Sequence, residues 1–105
     1  MYDRAGPVFD ALADPTRRNV VEALAARETA TATELAGELP VTRQAVSKHL
    51  TALSDAGLVA RERRGRETHY RLTPAALSEA LDWMERVGRH WERRLAALRA
   101  RFPDR

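Results

Sequence analysis

One hundred and five residues at 11.8 kDa, 44% of them hydrophobic and 31% charged, suit a single small domain and exclude a two-domain enzyme. With no Cys in the chain, disulfides, thiolate metal sites, Cys nucleophiles and thiol redox sensing are all excluded. The net charge of +3 is unevenly placed. Pro40 to Leu72 carries seven Lys or Arg against three Asp or Glu, so all the positive excess lies in the middle third, which charge alone reads either as a site for a polyanion such as nucleic acid or as a solvated surface of an Arg-rich protein.

In chain order, a short helix is predicted around Val8 to Ala13, carrying Val8, Phe9 and Leu12. Asp14-Pro15 is an N-cap followed by Pro at the first helical position. Val20, Val21, Leu24 and Ala25 then recur at helical spacing, giving a helix from about 15 to 27. Thr31 with Glu34 three residues on fits a capping box, opening a helix of about two turns through Leu39 that Pro40 ends. Thr42 caps a further helix to about residue 56, with Val46, Leu50 and Leu53 on one stripe and Gly57 as its C′ residue. Leu58 to Arg63 and Glu67 to Leu72 read as a hairpin around the basic tip Arg64-Gly65-Arg66. Thr73-Pro74 then opens a last helix of about 29 residues to Phe102, roughly 43 Å long at 1.5 Å per residue.

Apolar stretches are short. Val20 to Ala26 is interrupted by Glu22 and ended by Arg27, well below the roughly 18 apolar residues of a membrane span, so no membrane partner is expected. Met1 to Asp10 lacks the basic-then-apolar layout of a signal peptide, and the expected location is cytoplasmic. Seventeen Arg to one Lys, nineteen Ala and no Ile are a composition that a GC-rich bacterial genome encodes.

The helix that starts at Thr42 carries the chemistry. At about 100° per residue, Val46, Leu50 and Leu53 face inward, while Gln44, Lys48, Thr51 and Asp55 face away with Arg43 and Ser47 on the flank. Arg, Gln, Lys and Ser read base edges or grip phosphates when the N-terminal half of a helix enters the major groove. The free N–H groups and positive dipole end at that N-terminus also suit a phosphate. A two-turn helix, a tight turn, this polar-faced helix and a basic hairpin form a winged helix-turn-helix. In that arrangement Arg61, Arg63, Arg64 and Arg66 are the wing's candidates for the DNA backbone. The fold expected is therefore mainly α with a β-hairpin wing, one domain over 1–105, with a DNA-binding core at 7–74 and a C-terminal dimerisation helix at 74–102.

The stretches VFDALADPTRRNVVEAL and TATELAGELPVTRQAVSKHLTALSDAGLVARERRGRETHYRLTP resemble the ArsR-type winged-helix transcriptional regulators over about residues 7–74. The resemblance implies a homodimer joined through its first and last helices, which adds Leu12 to the contact, and repression by occupying a pseudo-palindromic operator in double-stranded DNA. It also implies that Thr42 to Ala56 is the recognition helix, with QAVSKHL placing Gln44, Ser47 and Lys48 near DNA and His49 as a further candidate there. His49 lies at the edge of the apolar stripe and reads as a packing or hydrogen-bonding residue. Metal-sensing relatives carry a Cys pair in the helix matching Glu34 to Leu39, where Ala36 and Glu38 stand here, so no metal cofactor of that kind is expected.

In the last helix, Leu77, Leu81, Met84, Gly88, Trp91, Leu95, Leu98 and Phe102 alternate spacings of four and three, a coiled-coil seam that one small domain cannot cover. The stripe predicts a second copy of the chain as partner. Trp83 and Trp91 share roughly one side of it and read as core or dimer packing, the alternative being a pocket for an unidentified small-molecule effector. Asp82, Glu85, His90 and Glu92 could form a non-Cys zinc site only across a dimer, and their spacing is not that of the zinc-binding relatives. His49, His69 and His90 fall in three different elements, with no nucleophile motif or phosphate loop, so no enzyme is expected. The other class of function compatible with these features is a protein-interaction scaffold in which the long helix captures a partner.

Overall fold

The computed structural model describes residues 5–101. Its elements are α1 (Ala5–Leu12), α2 (Pro15–Ala25), α3 (Ala32–Ala36), α4 (Arg43–Asp55), β1 (Val59–Arg64), β2 (Glu67–Leu72) and α5 (Pro74–Arg101). This is the mainly helical, hairpin-bearing architecture that the sequence predicts.

Local chemistry sets most of these boundaries. Asp14 Oδ2 accepts from the Arg17 N–H at 2.9 Å, capping α2 ahead of Pro15. Both halves of the Thr31 capping box form: the Glu34 N–H donates to Thr31 Oγ1 at 3.1 Å, and the Thr31 N–H donates to Glu34 Oε1 at 2.8 Å. Thr42 Oγ1 accepts from the Ala45 N–H at 3.1 Å. At the far end of α4, the Gly57 N–H reaches Ser54 O at 3.0 Å and the Leu58 N–H reaches Leu53 O at 2.9 Å, a Schellman motif that needs the positive φ of 81° found at Gly57.

Four boundaries differ from expectation, the first being α1, which begins at Ala5 rather than near Val8 and ends at Leu12. α3 stops at Ala36 instead of continuing to Leu39, because the Glu38 N–H turns back three residues to Leu35 O (3.0 Å) and the chain tightens into a turn. Leu39 still packs against the core. α2 ends at Ala25 rather than near 27, where the Arg27 N–H bonds Leu24 O at 3.0 Å. The hairpin tip is two residues, Gly65-Arg66, with Arg64 paired to Glu67 inside the ladder. Gly65 at φ 61° followed by a residue of negative φ is the II′ pattern that matches strand twist.

One pairing has no counterpart in the sequence pattern. Ala30 forms an isolated antiparallel bridge with Tyr70, holding β2 against the start of α3.

The core gathers Val8, Val20, Leu24, Leu35, Val46, Leu50, Leu53 and Leu58, all fully buried, with Tyr70 closing it from the hairpin. Each such aliphatic side chain contributes about 1.5–3 kcal/mol of burial. α4 thus sits with one face locked inward by α2, α3 and β1 and the opposite face outside.

α5 behaves differently along its length. Its first turns pack on α1, and Trp83 meets Phe9 edge to face at 5.5 Å. Ala80 is its buried residue, and none beyond it is buried among the described residues. The molecule measures 63 × 33 × 20 Å with a radius of gyration of 18.3 Å, against roughly 13 Å for a compact chain of this length. The excess is the projecting α5.

Candidate nucleic-acid interface

α4 presents Thr42, Arg43, Gln44, Lys48 and Thr51 as exposed residues and Ser47 as a half-buried one, on the side opposite Val46, Leu50 and Leu53. Thr51 Oγ1 donates to Ser47 O at 3.1 Å, so its hydroxyl faces an outside partner as an acceptor. Gln44 and Lys48 have no side-chain partner among the described residues and are free to reach out.

The wing arginines do not form one cluster. Register places Arg61 opposite Tyr70 and Arg63 opposite Thr68 on one face of the hairpin, while Glu62 and Arg64 lie opposite His69 and Glu67 on the other. Arg64 Nε and Nη2 donate to Glu62 Oε1 at 3.2 and 3.0 Å, and His69 Nε2 lies 3.1 Å from Glu67 Oε1. Arg63 Nε donates to Gly65 O at 3.0 Å, which fixes its side chain near the tip. Arg43, Ser47, Arg63, Arg66, Glu67 and Thr68 line a cleft with the N-terminal residues of α3, so helix and wing share a hollow in which three arginines outnumber Glu34 and Glu67. Glu34 is one of its lining residues. The Thr31 backbone N–H it accepts holds its carboxyl below the ordinary glutamate range, keeping a negative charge on the capping box.

On the opposite flank of α4, a second open groove of ≈ 620 Å³ is lined by Arg17, Ala45, Lys48, His49, Ala52 and Asp55 among others. His49 is half-buried there, with Nδ1 3.9 Å from Asp14 Oδ2, which agrees with its reading as an edge-of-core residue. Nothing in the sequence pattern singles out Arg17. Its spacing from Pro15 places it on α2, but only the packing of α2 on α4 brings it beside the exposed polar face of α4.

The seam residues of α5 divide. Leu77, like Leu12 on α1, is partly buried against the chain's own core. Gly88 and Leu95 are half-buried, whereas Leu81, Met84, Trp91 and Leu98 are about half exposed and Trp83 and Val87 nearly so, an apolar strip outside the fold. Phe102 lies outside the described residues. No three His, Asp or Glu side chains among the described residues of one protomer gather closely enough to hold a metal ion, Asp82, Glu85, His90 and Glu92 included. No described helix is long and apolar enough to cross a membrane.

A short helix, a tight turn, an exposed polar helix and a basic hairpin on its flank define a winged helix-turn-helix DNA-binding regulator. Similarity to known proteins is specific about which kind. A helix-turn-helix domain pattern matches residues 12–62. The chain is 46% identical over 93 residues to an HTH-type transcriptional regulator of Mycobacterium tuberculosis, an alignment covering 89% of this chain and 80% of that one. It is 31% identical over 77 residues to the transcriptional repressor SdpR of Bacillus subtilis, covering 73% and 84%. Among solved structures it is similar to an ArsR-like transcriptional regulator from Rhodococcus sp. RHA1, with 42% identity, a TM-score of 0.78 and coverage of 92% and 91%. The chain belongs to the ArsR-type winged helix-turn-helix transcriptional regulators.

Proposed function

We propose that the chain acts as a homodimer that represses transcription, its own operon included, by occupying a pseudo-palindromic operator with one α4 per half-site. The observation that carries this reading is the outward face of α4, where Gln44, Ser47 and Lys48 stand over an inward face of fully buried Val46, Leu50 and Leu53. Residues 7–74 supply DNA binding and residues 74–102 the dimer contact, through Leu12, Leu77, Leu81, Met84, Gly88, Trp91, Leu95 and Leu98. Base-edge contacts come from Gln44, Ser47 and Lys48, and backbone contacts from Thr42, Arg43, Thr51, Arg61, Arg63, Arg64 and Arg66. Such a protein works in the cytoplasm, where the DNA is, with no catalytic step of its own.

The test is binding to the DNA upstream of the chain's own gene, followed by footprinting. Two protected major-groove segments about 34–36 Å apart on one face of the duplex are expected. Absence of binding at about 50 mM salt, where electrostatic affinity is strong, would reject DNA recognition in favour of a protein-interaction scaffold.

A further inference from the structure

Arg17 and Arg18 are neighbours in α2 with different surroundings. Arg18 Nη1 donates to Leu12 O at 2.7 Å and Ala13 O at 3.3 Å, satisfying carbonyls at the end of α1. Arg17 makes no ion pair and no side-chain hydrogen bond among the described residues, and its Nε is buried without an acceptor. Its half-buried side chain lines the ≈ 620 Å³ groove along α4, beside Lys48 and Thr51. A guanidinium held partly out of water with no ion-pair partner is costly, and an anion entering the groove relieves that cost.

The geometry of a duplex says which anion. A helix 10–12 Å across nearly fills a major groove about 12 Å wide, so each flank of the inserted helix faces the phosphates of one strand. One flank of α4 carries Arg43, Arg63 and Arg66 in the cleft shared with the wing. The other flank carries Arg17, with Lys48 at the crest between them. Ala45 and Ala52 are small, which leaves space for a sugar-phosphate chain. Asp55, about 10 Å further along the helix than Lys48, is the acidic residue lining this groove and bounds the site at its C-terminal end.

We propose that Arg17 is a DNA-backbone contact that binds a phosphate on the strand opposite the one gripped by the wing. The proposal rests on the DNA-binding reading above and extends the footprint of each protomer beyond the helix-turn-helix pair to α2.

Phosphate contacts are independent of sequence, so a mixed-sequence duplex is a sufficient probe. Salt titrations of the wild-type protein, Arg17→Gln and Arg17→Lys are compared, with the thermal midpoint of each recorded. Arg17→Gln is expected to flatten the slope of log affinity against log salt by about 0.9 per protomer, and Arg17→Lys to retain it. A wild-type slope in Arg17→Gln overturns the proposal and leaves Arg17 a packing residue. Phosphate-ethylation interference with the wild-type protein on its upstream DNA is a check that no folding defect can confuse. Interference on both strands flanking the recognition helix supports the contact, and interference on the wing side alone overturns it. Failure of the wild-type protein to bind the duplex at low salt is a separate outcome that removes the DNA reading itself.

Discussion

Ala30 and Tyr70 exchange both backbone hydrogen bonds, the Ala30 N–H donating to Tyr70 O at 3.0 Å and the Tyr70 N–H to Ala30 O at 2.8 Å. Because Thr31 caps α3, this one pair joins the wing to the first helix of the helix-turn-helix. The cleft lined by α4, the wing and the start of α3 therefore has its α3 and wing walls tied together.

The Tyr70 ring is buried in the core while its hydroxyl has no partner among the described residues. Tyr70→Ala should cost about 3 kcal/mol or more in chemical denaturation, the cavity of a large aromatic truncation. Tyr70→Phe should stay within about 0.5 kcal/mol of wild type, because it removes no hydrogen bond and leaves the ring in place. A large loss in Tyr70→Phe would mean that the hydroxyl has a structural role that the fold does not account for.

Gly57 terminates α4 at φ 81°, and an added Cβ there meets nothing within 4 Å. The cost of Gly57→Ala is accordingly backbone strain alone, roughly 1–2 kcal/mol, or a fall of about 5–10 °C in thermal midpoint. Gly57→Asn should lose less, since Asn tolerates the left-handed region. Equal losses in the two variants would point to a steric cause and contradict the open space seen in the structure.

Much of this architecture is legible in the sequence because caps and stripes are local. Asp14-Pro15, Thr31 with Glu34, Thr42 and Gly57 each act within a few residues of themselves, and each does what its type and spacing predict. Val46, Leu50 and Leu53 have only one inward side to choose. What the sequence leaves open depends on distant partners. The Ala30–Tyr70 bridge is one residue long and carries no period, the early end of α3 turns on a single bond at Glu38, and Arg17 lies beside the polar face of α4 only because α2 packs on α4. By sequence Arg61 and Arg63 fall in a strand and Arg64 and Arg66 at its tip, and only the register shows Arg64 inside the ladder on the face with Glu62 and Glu67.

That division of the wing has a measurable consequence. Arg66→Ala and Arg63→Ala should weaken binding to all sequences and flatten the salt slope by about 0.9 per protomer. Arg64→Ala should do so less, since Glu62 already neutralises that side chain. Gln44→Ala and Ser47→Ala should instead lower discrimination between operator and mixed-sequence DNA, by about 1–3 kcal/mol for each base-edge interaction removed. Should all five variants alter slope and discrimination alike, the separation of backbone from base contacts is wrong.

The Thr31–Glu34 box gives α3 an acid sensitivity of known sign. Folding lowers the Glu34 pKa beneath its ordinary 4.5, so its ionised form stabilises the folded state. That contribution is complete above the unfolded value and disappears as pH falls below 4.5 toward the lowered folded value. Urea denaturation from neutral to acid pH should show a loss in wild type that is smaller in Glu34→Gln, whose amide oxygen still accepts from Thr31 but does not titrate. Parallel curves for the two proteins would remove Glu34 from the acid response.

The projecting half of α5 bears on assembly most directly. Trp91 is 58% exposed and Leu98 52%, far from the core, with Arg94 stacked 5.8 Å from the Trp91 ring. A strip of this kind costs little to alter in an isolated protomer and much at an interface, where a central aromatic contributes about 2 kcal/mol or more. Trp91→Ala and Leu98→Glu should each raise the dimer dissociation constant by roughly 30-fold or more in sedimentation equilibrium, with helical content retained. Operator affinity should fall with it, because a lone protomer engages one half-site instead of two. If both variants sediment as wild type at micromolar concentration, the outer half of α5 carries no dimer contact, and the pair must be held by Leu12, Leu77 and the surface around α1 instead.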